Sequence, residues 1–334
     1  MAKKRGRGAI AGFIIAGLVT AGVIVYTLFF NGRFVYFTFG MNGDDIMKTD
    51  NVHISETAAK ILAADEKQAF LDVSDAQYLD TNISEEPLEK DFKNNVKSKL
   101  SRILTLNRMA QDKNISLTKE QTDKARAAAD EYLGSLSSDA VSYTGANKDN
   151  TFTFFSQYML AEEMKNRLMA DAQIEVSTDE ARVIQIQFIC SEDEAKVKEA
   201  KQKIDAGEVF YEVAAGVNSD SDFDAELTRG MTDKAFEDVA YSLKTGEVSD
   251  VFLSGDKYYL IKCSSDNEQT KTDAHREVLT EKEKAEYLEK KIVPFENGLY
   301  FEFDESGWNK IQFDKIPETR VTFREIYLKN TQVQ

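Results

Sequence analysis

Histidine and cysteine are nearly absent: 334 residues hold two of each. His53 and His275 stand far from one another and from Cys190 and Cys263, so no zinc-ligand spacing exists and no metal is expected. No stretch matches a P-loop, a dinucleotide fingerprint, a nucleophile elbow or an H-E-x-x-H helix, and no cofactor is expected. Positive charge is also scarce. The formal net charge is −16, and the first seven residues carry +4 through Lys3, Lys4, Arg5 and Arg7, which leaves −20 for the rest. Nucleic acid requires a basic footprint, so it is excluded as a partner. Such acidity favours solubility and weak self-association. Internal repeats and low-complexity tracts are missing as well.

One long hydrophobic run is present. From Gly8 to Phe30 no residue is charged, and most are Ile, Val, Leu, Ala, Gly or Phe. As a helix this run is about 34 Å long, enough for a ~30 Å hydrocarbon core. The basic cluster before it places the N-terminus in the cytoplasm and the rest outside. A cleaved signal peptide is the rival reading. Its apolar core is shorter, about 7–15 residues, whereas here Val23 to Phe30 prolongs the run past the small residues at Val19-Thr20-Ala21. A retained single-pass anchor is therefore expected. A lipid-bearing cysteine is not, because the first cysteine is Cys190. Outside the cytoplasm a Cys190–Cys263 disulfide is permitted. Both cysteines end apparent strands, so two small buried side chains are the other reading.

Beyond the run, Phe34 to Asp50 reads as a short membrane-proximal segment. Leu88, Phe92, Val96, Leu100, Ile103 and Leu104 then recur at helical spacing, with Pro87 suited to a first turn. Thr118-Lys-Glu-Gln121 is a capping box that opens a helix through Ala125, Ala128, Ala129, Tyr132 and Leu133. Ser135 to Asn150 is polar and loop-like. Another helix carries Phe155, Tyr158, Met159, Met164 and Leu168; its aromatic face is read as helical core. Residues 55–172 are thus expected to be all-helical, their stripes buried against one another.

At Ser177 the pattern changes. Arg182 to Cys190 alternates as a strand, with Ile184, Ile186 and Phe188 on one face and Val183, Gln185 and Gln187 on the other. Helices are expected at 192–206, 210–215 and 236–243. Strands follow at 248–253 and 258–263, joined by a hairpin turn at Ser254-Gly255-Asp256. After that domain, His275 to Leu299 reads as an amphipathic helix with Leu288, Ile292, Phe295 and Leu299 on one stripe. Trp308, Ile311 and Phe313 form an apolar patch, and Arg320 to Lys329 alternates like a strand.

Several runs in 178–266 resemble the parvulin-type peptidyl-prolyl isomerase domain: Phe210-Tyr-Glu-Val-Ala214, Asn218-Ser-Asp-Ser221, Phe236-Glu-Asp-Val-Ala-Tyr-Ser-Leu243, Gly246-Glu-Val-Ser249 and Tyr258-Tyr-Leu-Ile-Lys262. The whole layout resembles the membrane-bound bacterial foldases of the PrsA/SurA-like kind. The resemblance implies an α+β chain. Its parts are a basic tail (1–7), a transmembrane anchor (8–30), a membrane-proximal segment (31–54), a helical chaperone-like domain (55–176), a parvulin-like (FKBP-like) antiparallel sheet with helices (177–266), and a C-terminal helix and tail (267–334) that packs back. It implies unfolded, newly exported polypeptides as partners and prolyl isomerisation as the activity. The family places a histidine on each of two strands, where Gln185 and Tyr259 stand here. Ser221 matches its Cys or Asp, and the Gly-rich stretch becomes Asp222 to Thr228. A prolyl catalyst needs an apolar socket, for which Met231 and Phe236 are the candidates; ordinary core for Phe236 and gap-filling for Met231 are the other readings.

Overall fold

The structure, a computed structural model, describes residues 34–35, 41, 43–73, 86–218, 223–319 and 321–331. The expected anchor at 8–30, the tail before it, and Ser221 lie outside these residues. Among the described residues no helix is long and apolar enough to cross a membrane.

The described residues begin with β1 (Phe34–Val35), β2 (Asp45–Thr49) and β3 (Val52–Ser55). Helices follow: α1 (Glu56–Val73), α2 (Glu86–Asp112), α3 (Lys119–Ser135), α4 (Ser138–Thr144), α5 (Lys148–Met169) and the single turn α6 (Thr178–Ala181). The middle is mixed: β4 (Ile184–Ser191), α7 (Glu194–Asp205), α8 (Phe210–Val217), β5 (Asp224–Leu227), α9 (Lys234–Ala240), β6 (Phe252–Ser254) and β7 (Lys257–Ser265). It ends with α10 (Gln269–Glu296), β8 (Phe301–Phe303), α11 (Glu305–Trp308) and α12 (Phe323–Thr331). Two units emerge: residues up to Ala172 together with those from Tyr287 onward, and residues 173–286.

The first unit is not purely helical. Residues 45–55, expected only as the end of a membrane-proximal segment and the start of a helix, form a hairpin in a sheet ordered β1-β8-β2-β3. β8 runs parallel to β1 and antiparallel to β2. A bulge between Asp45 and Met47 lets the successive residues Ile46 and Met47 both bury completely. The expected helical stripes do reach the core: Val96, Leu100, Leu104, Ala125, Ala128 and Tyr132 are all buried. Thr118 makes its capping box with Gln121. In the stretch expected as loop, α4 forms because Ser137 caps it and Gly145, at φ 67, ends it. Seven residues are too few to show a stripe.

The strand expected at 320–329 is instead the helix α12. Thr322 and Glu325 form a reciprocal cap, with N–H to oxygen distances of 2.8 and 3.1 Å. Phe323 is fully buried. Its ring lies 5.1 Å from Phe154, 6.0 Å from Phe155 and 5.1 Å from Tyr158. The aromatic face of α5 is therefore core, as read from the sequence. Beside it sits a charge cluster. Arg324 lies 3.2 Å from Asp65 and 3.0 Å from Glu66, and Lys99 also bonds Glu66. Burial pushes the Asp65 carboxyl up, and Arg324 opposes that shift. Removing one partner of a buried pair strands the other charge. Arg324→Met should therefore destabilise this unit by about 2–3 kcal/mol, below the full buried-pair value because the guanidinium is partly solvated. Urea unfolding followed by circular dichroism measures this.

In the second unit the sheet is wholly antiparallel, ordered β5-β4-β7-β6. β5 lies in the segment 222–228, where no strand was expected; its Asp224 and Glu226 obscure the alternation. The sheet buries both faces. Ile184, Ile186, Ile261 and Cys263 pack with Phe236 and Ala240 of α9. Ile189 and Leu260 pack with Val197 and Ala200 of α7 and Phe210 and Val213 of α8. The first turns of α10 close the unit: buried Thr272 accepts the Val183 N–H at 3.0 Å, and Glu268 N–H donates to Val183 O at 2.8 Å.

Candidate functional site

The β4–β7 register decides what can meet. Cys190 stands opposite Tyr259, and Ile186 opposite Cys263. The two cysteines are thus four residues apart along the sheet, about 13 Å. A disulfide needs Cα atoms within roughly 7 Å, so the pair is not a bridge and both remain thiols. Gln185 pairs with Glu226 on one side and Ser265 on the other. That is about 17 Å along the strand from the position facing Tyr259, and Gln185 points to the opposite sheet face from Ile184 and Ile186. The structure does not bring Gln185 to Tyr259.

On the first strand Cys190 faces Tyr259 directly, and the ring beside it is Phe188, with centroids 6.4 Å apart. Phe236 meets Tyr259 edge-on at 5.1 Å, and Phe252 stacks on it at 5.9 Å. Phe236 and Phe252 are themselves 5.9 Å apart. Four rings thus form one cluster on the α9 face of the sheet. Phe236 is buried, while Phe188, Phe252 and Tyr259 keep partial exposure. Phe188 and Phe252 were not among the expected site residues. The alternation did carry the signal for Phe188, which shares parity with Ile184 and Ile186.

A single carboxylate holds the cluster together. Asp233 caps α9: its Oδ1 accepts from Ala235 N–H at 3.0 Å and Phe236 N–H at 3.2 Å. Its Oδ2 accepts from the Ser254 hydroxyl, at the end of β6. Helix and hairpin are therefore tied at the point where each delivers a ring. Gly255, at φ +58, makes the two-residue turn from Ser254 to Lys257 possible. On the other side of α9, Glu237 accepts N–H groups of Gly230 at 2.6 Å and Thr232 at 3.4 Å. Met231 lies in this loop, 61% exposed, its sulfur accepting from Thr228 N–H at 3.3 Å. It is not among the side chains packed into the ring cluster.

Chemically the cluster is an apolar surface with one hydroxyl. Burial pushes the Tyr259 hydroxyl up, so it remains a donor at neutral pH. No histidine is among the rings; His275 bonds Ala181 O at 2.9 Å instead. Among the described residues no cluster of carboxylate, cysteine and histidine side chains suits a metal.

The Ser254 hydroxyl first, then the Phe236 N–H, holds the Asp233 carboxyl below its usual range. A carboxyl held low adds stability above its unfolded value of ~3.9 and loses it as pH falls through the lower folded value. Asp233→Asn keeps the cap acceptor and removes the titration. Its thermal midpoint should therefore lie below that of the parent at pH 7, and the gap should narrow as pH falls below the unfolded carboxyl value. Calorimetry at pH 7 and through the acid range checks this.

No protein-family model matches the chain. It is similar to the foldase protein PrsA 4 of Bacillus cereus, 24% identical over 200 residues, which covers 56% of this chain and 68% of the relative. A shorter match to the foldase protein PrsA 1 of the same organism is 33% identical over 96 residues, covering 27% of this chain and 34% of the relative. Among solved structures, the peptidylprolyl isomerase PrsA of Bacillus cereus aligns over 87% of this chain and 100% of its own, at 18% identity and a TM-score of 0.35. In sequence the chain thus resembles the PrsA foldases.

Proposed function

We propose that this protein is an extracytoplasmic foldase, tethered by the helix at 8–30, that binds prolyl segments of exported polypeptides on the ring cluster of the second unit. The observation that carries this reading is the meeting of Phe236 and Tyr259, edge-on at 5.1 Å with Phe252 alongside. Rotation of an X-Pro bond makes and breaks no covalent bond. Its barrier of ~18–20 kcal/mol is the loss of amide resonance. The planar amide is more polar than the twisted one, so an apolar socket disfavours the ground state relative to the transition state. The Tyr259 hydroxyl supplies the one donor to an amide that is twisting.

This mechanism uses no imidazole. The rate of proline-limited refolding should rise with added protein and show no step between about pH 6 and 8, where a histidine would titrate. Tyr259→Phe keeps the ring packing and should lower kcat/KM about tenfold, the equivalent of ~1.4 kcal/mol of transition-state stabilisation. An unchanged rate in that variant removes the hydroxyl from the mechanism.

A second reading is a holdase that binds without catalysis. It is favoured by one observation: neither strand of the sheet brings an imidazole to the rings, and Gln185 stands away from them. No acceleration at large excess, with aggregation of a denatured client still suppressed, selects the holdase. Neither effect, with one stoichiometric partner recovered, selects a docking role in the envelope.

A further inference from the structure

One end of the first unit lies where the expected anchor must deliver the chain. β1 starts at Phe34, paired with Phe301 of β8, and the two strands are parallel. Their starts therefore lie at the same end of the sheet. The apolar run ends at Phe30. From Phe30 to Phe34 is four Cα steps, which reach no more than ~14 Å in any conformation. A neighbouring strand adds ~5 Å. Residue 300, one further Cα step before β8, is thus held within roughly 23 Å of the end of the run.

That residue is Tyr300, and it is 78% exposed, more than any other large hydrophobic side chain among the described residues. The same end of the sheet carries the β2–β3 turn, because Lys48 pairs antiparallel with Glu302 and sets Asp50 level with Tyr300. Asp50 bonds the Arg108 guanidinium at 2.8 Å. Arg108 also bonds Asp112, so it offsets one of the two carboxylate charges there. Tyrosine is enriched where an apolar ring meets a polar headgroup layer.

We propose that this end of the first unit rests on the bilayer surface, with Tyr300 in the headgroup layer. The inference rests on the tether reading above. The partner is the lipid surface itself, and the contact would set the distance between the unit and the membrane.

The test uses the full chain in vesicles of phosphatidylcholine and phosphatidylglycerol that carry a headgroup nitroxide quencher. Tyr300→Trp adds a second indole to Trp308, which is only 7% exposed. The fluorescence gained over the parent should be quenched more than twofold relative to vesicles without the nitroxide. If the gained signal is unquenched while the chain stays with the vesicles through an alkaline wash, the surface contact is wrong and the tether stands. If the wash removes the chain, the tether fails and this inference falls with it.

Discussion

The antiparallel register between β4 and β7 is the constraint on which the candidate site depends. It puts Cys190 opposite Tyr259 and Ile186 opposite Cys263. From those pairings follow three consequences: the cysteines cannot bridge, Gln185 is displaced from the rings, and Phe188 becomes the first-strand ring beside Tyr259. A register shift of one residue would turn every side chain of β4 to the other face. Burial of Ile184, Ile186 and Ile189 resists such a shift.

Register alone does not build a socket, because two of the four rings come from elsewhere. Phe236 arrives on α9 and Phe252 on β6, and Asp233 with Ser254 joins the two. The cap is local in sequence on the helix side and 21 residues distant on the hairpin side. A short helix of seven residues has little stability of its own. Fixing its first turn to a strand end is what gives its aromatic side chain a defined position.

The helical unit follows a similar rule. α12 is nine residues long and gains its place through Phe323 among the rings of α5 and Arg324 beside two buried carboxylates of α1. Val321 and Phe323 alternate like a strand, and that is the pattern read from the sequence. The structure shows a Thr322–Glu325 cap instead. The cap satisfies backbone donors that a helix start leaves open, whereas a two-residue alternation is too short to distinguish structures. The hairpin at 45–55 was hidden for a related reason: a bulge breaks its alternation.

Local pattern determined much of this protein. The stripes of α2, α3 and α5, the caps at Thr118 and Ser177, the hairpin at Gly255 and the alternation of β4 each depend on residues a few positions apart, where backbone hydrogen bonding and side-chain periodicity act directly. The resemblance to parvulin-type foldases rested on such runs, and it located Tyr259 and Phe236 in one site. Tertiary structure alone decided which residue of β4 faces Tyr259, that Phe252 joins the cluster, that β8 completes the sheet begun by β1 to β3, and that α12 is helix. Each of these is a pairing between segments distant in sequence. Long-range packing and register select among local patterns that are individually permitted, and no short window of sequence contains both partners.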